Sequence, residues 1–264
     1  MNLVDPEGRI FTDSLAKYVT ILRKDINNKI REYTENNKDF QSQIDELNNA
    51  LKELDVLEES TQLYDIQHNA GMLGGELKER LEKIYDVTGT TLVTLDICDR
   101  EAVLAKAREV KPYFIINCAA YTNVDGCEVN TDLAMSVNGT AVANIAEAAK
   151  ENDATFIHIS TDYVFPGNLP VDQVYTEDME PAPVSAYGRT KLVGEENAAK
   201  AEKYYILRTA WLYGLGGKNF VKTMLRLSQD RDELTVVDDQ HGSPTSTTTL
   251  CKIIEGIMEI HNLY

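Results

Sequence analysis

Cysteine is scarce in the 264-residue chain, and the four present, Cys98, Cys118, Cys127 and Cys251, form no CxxC pair and have no His partner at zinc-finger spacing. Neither a disulfide scaffold nor a zinc site is indicated, and free thiols suit a reducing cytoplasm. The 7 Pro and 15 Gly are too few for a collagenous or low-complexity chain. Long apolar runs are also missing. The longest, Tyr113 to Tyr121, is interrupted by Asn117 and falls far short of the ~20 residues that cross a bilayer. Positive charge is in deficit, with 26 Lys and Arg against 43 Asp and Glu and a net charge of −17. Such a field repels phosphate backbones and anionic membranes alike, so neither nucleic acid nor a membrane is expected as a partner. Asp5 and Glu7 stand where a signal peptide would carry positive charge, so no export signal is read there and a cytoplasmic location is expected. What is present, 43% hydrophobic and 26% charged residues, is the composition of a globular protein with room for one large domain and an appendage.

The chain divides near residue 60. From Thr12 to Glu35 the residues Leu15, Val19, Leu22, Ile26, Ile30 and Tyr33 recur at steps of three and four, and after a polar break the pattern resumes as Phe40, Ile44, Leu47, Leu51, Leu54 and Leu57. That spacing predicts a helical hairpin over residues 1–60, with Asp39 capping its second helix. Each helix has one apolar stripe, which suits either a homodimer-forming arm or an extension packed on its own domain. From Thr61 onward short β-branched runs alternate with helical patterns. Strands are expected at Leu63–Gln67, Thr90–Leu95, Tyr113–Cys118, Thr155–Ser160, Tyr204–Leu207 and Leu234–Val237. Helices are expected at Met72–Ile84, Arg100–Val110, Leu133–Asn152, Ala186–Ala201, Asn219–Asp230 and Thr247–His261. This order predicts an α/β fold, a Rossmann-like doubly wound parallel sheet over residues 61–264. In such sheets ligands sit beyond the carboxyl ends of the strands.

Those strand ends hold the candidate chemistry. His68 to Gly75 is a glycine-rich turn running into a helix, and Gly71 and Gly74 fit the later part of a GxxGxxG phosphate turn, although His68 occupies the place of the first glycine. An ordinary glycine-rich loop reads equally well. Asn117 to Thr122 offers small residues against which a cofactor could lie, or simply a tight strand-to-loop transition. The fourth strand ends in Ser160-Thr161-Asp162, and one crossover later Tyr187 and Lys191 stand four apart at the start of a helix, hence on one face. A phenol with a pKa near 10 is a poor acid–base catalyst, but an ammonium one turn away is expected to lower it. Tyr187 could then give a proton to a carbonyl oxygen as hydride reaches its carbon, with Thr161 hydrogen-bonding the same oxygen and Lys191 holding a cofactor ribose. A solvated tyrosine beside a lysine is the bland alternative, and the position after a Ser-Thr-Asp strand end argues against it.

On the segments Leu95–Asp99, Asn117–Asp125, Ile159–Phe165, Ser185–Leu192, Arg208–Gly214, Asn219–Leu225 and Val237–Thr245, the chain from about Gly71 onward resembles the extended short-chain dehydrogenase/reductase superfamily. Within it the resemblance is to the dTDP-4-dehydrorhamnose reductase family. The resemblance implies Tyr187 as proton donor, Lys191 as the lysine that tunes it and binds the nicotinamide ribose, and Thr161 as the third member. It implies substrate contacts at Thr161, Asp162, Tyr187 and Trp211. Gly71, Met72 and Leu73 match the pyrophosphate turn, Asp96 and Ile97 the segment near the adenine, and Ala119, Ala120 and Tyr121 the segment beside the nicotinamide. The implied reaction is hydride transfer from NADPH or NADH to the 4-keto group of dTDP-4-dehydro-6-deoxy-L-mannose, a nucleotide sugar, giving dTDP-L-rhamnose. That chemistry needs no metal, although members of the family can use magnesium structurally.

Asp96, Asp99 and Arg100 put both signs of charge after the second expected strand, so use of either cofactor is expected. The hairpin has no counterpart in the family, and an ending at Tyr264 leads to the expectation that the C-terminal substrate-binding part is truncated. Two other readings share these residues. A related sugar-nucleotide epimerase or dehydratase would use the same turn and YxxxK, but a dehydratase adds tandem carboxylates where Asp162-Tyr163 follows Thr161 here. A non-catalytic regulatory or scaffold subunit would suit the hairpin, whereas retention of Thr161, Tyr187 and Lys191 together speaks against it.

Overall fold

The alternation of β-branched runs and 3.6-residue periods becomes a layered α/β arrangement in the computed structural model, which describes residues 9–11, 71–229, 231 and 233–261. The expected hairpin over residues 1–60, the strand Leu63–Gln67 and His68 lie outside the described residues, apart from the short strand at 9–11. In chain order the elements are β1 (Arg9–Phe11), α1 (Met72–Leu81), α2 (Arg100–Val110), β2 (Phe114–Asn117), α3 (Val124–Val129), α4 (Thr131–Ala134), a π-helical turn (Met135–Thr140) and α5 (Ala141–Glu151). There follow β3 (Thr155–Thr161), a 3-10 turn (Asp162–Val164), α6 (Ala186–Ala198), β4 (Tyr204–Thr209), α7 (Phe220–Leu227), β5 (Glu233–Thr235) and α8 (Thr247–His261). The chain forms two units, Asn69–Gly216 with Gly242–Tyr264 and Met1–His68 with Gly217–His241.

The first unit is built on a parallel sheet of order β2-β3-β4, with Ile116 opposite Ile157 and Ile159 opposite Leu207. Successive side chains of a strand face opposite sides, so β3 feeds two cores. Phe156 packs with Val103 and Leu104 of α2 and Val142 and Ile145 of α5. Its neighbour Ile157 packs with Leu73 and Leu77 of α1 and Leu250 and Ile254 of α8. Each such buried side chain contributes about 1.5–3 kcal/mol. Helices thus cover both faces of a parallel sheet, the α/β arrangement expected from the sequence. In the second unit β1 pairs antiparallel with β5, Ile10 opposite Leu234. Among the described residues no helix is long and apolar enough to cross a membrane.

Three expectations are corrected. Thr90–Leu95 is not a strand: the Leu95 amide donates to the Thr91 carbonyl at 2.8 Å, and the Thr91 amide donates to Thr94 Oγ1 at 2.9 Å. These local bonds close a turn, and Leu92 and Val93 project outward from it, more than three-quarters exposed; threonine side chains compete in this way with a sheet ladder. The strand expected at Leu234–Val237 shifts to Glu233–Thr235 and joins the antiparallel pair, not the parallel sheet. The helix expected over Leu133–Asn152 is interrupted by the π-helical turn, where Asn138 Oδ1 accepts the Tyr121 amide at 2.7 Å and its Nδ2 donates back to the Tyr121 carbonyl at 3.0 Å.

Candidate active site

The carboxyl end of β3 turns sharply because Thr161 caps the 3-10 turn, its Oγ1 accepting the Tyr163 amide at 3.2 Å. The same hydroxyl donates to Asp162 Oδ1 at 3.1 Å. Burial raises the Asp162 carboxyl above its ordinary value, against a downward pull from that bond. Helix α6 is pinned at its first turn from two sides. Ser185 Oγ accepts the Gly188 amide at 3.0 Å, and Glu128 Oε1, from α3, accepts the Ala186 amide at 2.6 Å; both satisfy donors that a helix leaves open at its N-terminus. A Cβ at Gly188 would lie 2.2 Å from the Tyr163 carbonyl oxygen, so only glycine lets α6 press on the turn after Thr161.

That approach brings Tyr187 to Thr161. The Thr161 hydroxyl acts on the phenol, pulling its pKa down, and the Tyr187 and Tyr163 rings meet edge to face at 5.6 Å. Burial pushes the phenol up to about 12, against the downward pull of Thr161. The expected lowering by Lys191 is therefore not what sets the phenol. Lys191, fully sequestered with 2% exposure, turns toward β3, where its Nζ donates to the Ile159 carbonyl at 2.6 Å and lies 3.5 Å from His158 Nε2. Burial lowers its pKa to about 8, opposed by the charge of Glu195. Burial likewise pushes the Cys118 thiol up to about 12.

The remaining expected residues lie in the same unit. Gly71 is the N-cap of α1, with no side chain capping it and no acidic residue in the first turn. A Cβ placed on Gly71 would meet nothing within 4 Å. An uncrowded helix N-terminus followed by Met72 and Leu73 fits a pyrophosphate. A Cβ on Gly74 would make ordinary contact with Cys118 Cβ at 3.5 Å, which places α1 beside the end of β2. Ala119 is exposed and Ala120 and Tyr121 are half-buried just beyond β2. Asp96 is committed to its own turn, its Oδ1 accepting the Cys98 amide at 2.9 Å, and the Ile97 carbonyl accepts Asn144 Nδ2 at 2.9 Å. Trp211 follows β4 in a left-handed conformation at φ 45° and is exposed, while a Cβ on Gly242 would sit 3.3 Å from its ring. A bulky residue held there is a strained feature of the kind that marks a ligand contact.

Sequence reasoning missed the polar layer beneath the cluster. His158 and Ser160 alternate on the β3 face that meets α6, and they oppose Lys191 and Glu195, one helical turn apart. Ser160 Oγ donates to Glu195 Oε1 at 2.6 Å, and Arg208 of β4 donates to both oxygens of the same carboxylate at 2.9 and 2.7 Å. The legible signal was two polar residues at i and i+2 in an otherwise apolar strand.

These features define a Rossmann-like α/β domain with a Thr, Tyr and Lys grouping at its strand ends. A model described as the RmlD substrate binding domain matches residues 66–262, and the chain belongs to that family. It is 45% identical over 184 residues to a dTDP-4-dehydrorhamnose reductase of Streptomyces griseus, covering 69% of this chain and 60% of that protein. With the reductase of the same name from Escherichia coli K12 it shares 41% identity over 185 residues, 68% of this chain and 61% of that protein. The chain thus spans about three-fifths of the length of these curated relatives. Among solved structures it is similar to a dTDP-4-dehydrorhamnose reductase of Bacillus anthracis in complex with NADP, with TM-score 0.69, 42% identity and coverage of 72% of this chain and 67% of that one. A Clostridium acetobutylicum counterpart gives TM-score 0.69 and 46% identity, covering 73% and 68%.

Proposed function

We propose that the chain binds NADPH or NADH and reduces the 4-keto group of dTDP-4-dehydro-6-deoxy-L-mannose to give dTDP-L-rhamnose. The observation that carries this reading is the fit of α6 against the end of β3, where Gly188 lies so close to the Tyr163 carbonyl that a Cβ would stand 2.2 Å from it, with Tyr187 beside the Thr161 turn and Lys191 one helical turn further on. The curated relatives named as dTDP-4-dehydrorhamnose reductases supply the substrate class, and the B. anthracis structure supplies the cofactor class.

In this reading Gly71, Met72 and Leu73 hold the cofactor's pyrophosphate at the N-terminus of α1, and Ala119, Ala120 and Tyr121 flank its nicotinamide half. Asp96 and Ile97 are assigned to the adenosine end, and Lys191 to the ribose, which it reaches only by turning Nζ away from the Ile159 carbonyl it meets in the free protein. The reduced nicotinamide supplies the hydride when bound. Tyr187 Oη gives the proton to the sugar's O4. A phenol held up to about 12 stays protonated through neutral pH, which suits an acid in the direction of reduction. Thr161, whose one hydroxyl proton goes to Asp162 Oδ1 in the free protein, turns it to the same carbonyl oxygen when substrate is bound. Asp162 and Trp211 orient the sugar nucleotide. An acidic chain holds such a ligand through local helix N-termini and a few cationic side chains, not through its overall field.

Residues 61–264 are assigned to this domain, and the dimer-forming arm expected of residues 1–60 belongs to the same proposal. Sedimentation of the full chain is expected to give a dimer; a monomer would contradict the arm. For the reaction, NADPH fluorescence should change on titration, and the dTDP-linked 4-keto sugar should trigger NADPH oxidation. Cofactor binding with no oxidation at any substrate concentration would overturn the reductase reading.

A further inference from the structure

Strand β3 carries a buried imidazole that the proposed reaction leaves unused. His158 has no exposed surface and Asn117 only 4%. Their side chains meet at 3.2 Å, Asn117 Nδ2 to His158 Nδ1, and on the other edge of the ring Nε2 lies 3.5 Å from Lys191 Nζ. The direction of this chain follows from its first member. Asn117 Oδ1 accepts the Ala119 amide at 3.0 Å, which leaves its NH2 group facing the ring. An amide N–H only donates, so Nδ1 accepts and the single proton of the neutral imidazole sits on Nε2. That N–H points at Lys191 Nζ, whose own proton goes to the Ile159 carbonyl at 2.6 Å. An N–H aimed at an ammonium sets donor against donor, whereas the lone pair of a neutral amine accepts it.

We propose that Asn117 and His158 are positioning residues for Lys191: Asn117 fixes the Nε2–H tautomer of His158, and that N–H disfavours the ammonium form of the lysine. The inference rests on the reading of Lys191 as the working partner of Tyr187 and deepens it. Lys191 becomes a group that exchanges its proton near neutral pH, not a permanent cation. Glu195 on its own helix pulls the opposite way and favours the charged form, while the Cys118 thiol beyond β2, held up to about 12, stays neutral in this range. The close fit is built in at Gly194, where a Cβ would stand 2.3 Å from the Asn138 carbonyl oxygen and 3.3 Å from His158 Nε2. His158 itself stays neutral, its pKa lowered to about 2 by burial and by the charge of Lys191.

The test is made by NMR on the full chain. In protein labelled with 15N-histidine, His158 is expected to show a protonated Nε2 and an unprotonated Nδ1 between about pH 5 and 8. The opposite tautomer, or an imidazolium, would overturn the proposal. In protein labelled with 13C at lysine Cε, with Lys191→Met identifying the signal, His158→Leu should move the Lys191 titration up by about one pH unit, a tenfold gain in proton affinity. His158→Gln, which can still present an amide N–H to the amine, should restore the original titration. A Lys191 titration unmoved in His158→Leu would overturn the proposal, and the wild-type tautomer decides it if that variant does not fold. Neither readout needs turnover, so a wild-type chain that fails to reduce the sugar would sink the reductase reading and leave this result standing.

Discussion

Three hydroxyl-bearing or acidic groups crowd the end of β3, and burial decides how they share protons. Thr161 donates to Asp162 and pulls the Tyr187 phenol down against its burial, so it acts on carboxylate and phenol together. Thr161→Val removes the downward pull on the Tyr187 phenol. Turnover should fall by roughly 10–100-fold, with the alkaline limb of the pH–rate profile displaced upward. Steady-state rates measured across pH would check this; an unchanged profile would contradict it. Thr161, Tyr187 and Lys191 could be found in the sequence because their chemistry is written at short range, in a strand end and a one-turn spacing. Asn117 and His158 could not. They are 41 positions apart, and His158 is 33 from Lys191, so their relation exists only once α6 lies across β3.

Helix α6 is held to the sheet by polar contacts as much as by apolar ones. Glu195 gathers Ser160 from β3 and Arg208 from β4, and the Arg208 guanidinium stacks over the Phe165 ring at 4.9 Å. Glu195 is 6% and Arg208 22% exposed in their side chains, so removing the carboxylate strands a largely buried cation. Glu195→Ala should destabilise the fold by about 3 kcal/mol, the low end for a broken buried pair; urea denaturation of variant and wild type measures it. The two glycines at opposite ends of the site should behave differently. Gly194→Ala forces a Cβ against the Asn138 carbonyl oxygen and should cost about 1–3 kcal/mol. Gly71 has φ −57° and open space around it, so Gly71→Ala should leave thermal stability unchanged while weakening NADPH binding; equal binding would contradict the assigned pyrophosphate turn. Element types were legible wherever periodicity was long, as in α5 and α8. Thr90–Leu95 was misread because β-branched residues signal a strand on propensity, while the hydroxyl of Thr94 closes a turn on its own backbone. The antiparallel pairing of β5 depends on a segment more than 200 residues away, which local pattern cannot express.

For the whole molecule, the buried bases His158 and Lys191 give stability a defined dependence on pH. The His158 pKa falls from 6.5 to about 2 on folding. Between those values the unfolded chain takes up a proton that the folded chain does not, so stability rises with pH across that window and is lost as pH falls. Lys191, lowered from 10.5 to about 8, acts in the same direction at higher pH, and its burial stops opposing the fold as it loses its proton. Urea denaturation at about pH 5 and pH 7 should show lower stability at the acidic value, and His158→Leu should flatten the slope; a slope that persists in the variant would assign acid lability elsewhere. The chain belongs to a family whose curated members named above are reductases, and in the proposed reaction the proton is delivered through Tyr187. That claim is tested most directly by the rate of NADPH oxidation with saturating dTDP-4-dehydro-6-deoxy-L-mannose in wild type and in Tyr187→Phe. The account predicts that the variant binds NADPH as wild type does and loses at least about 100-fold in rate. Equal rates in the two proteins would contradict it.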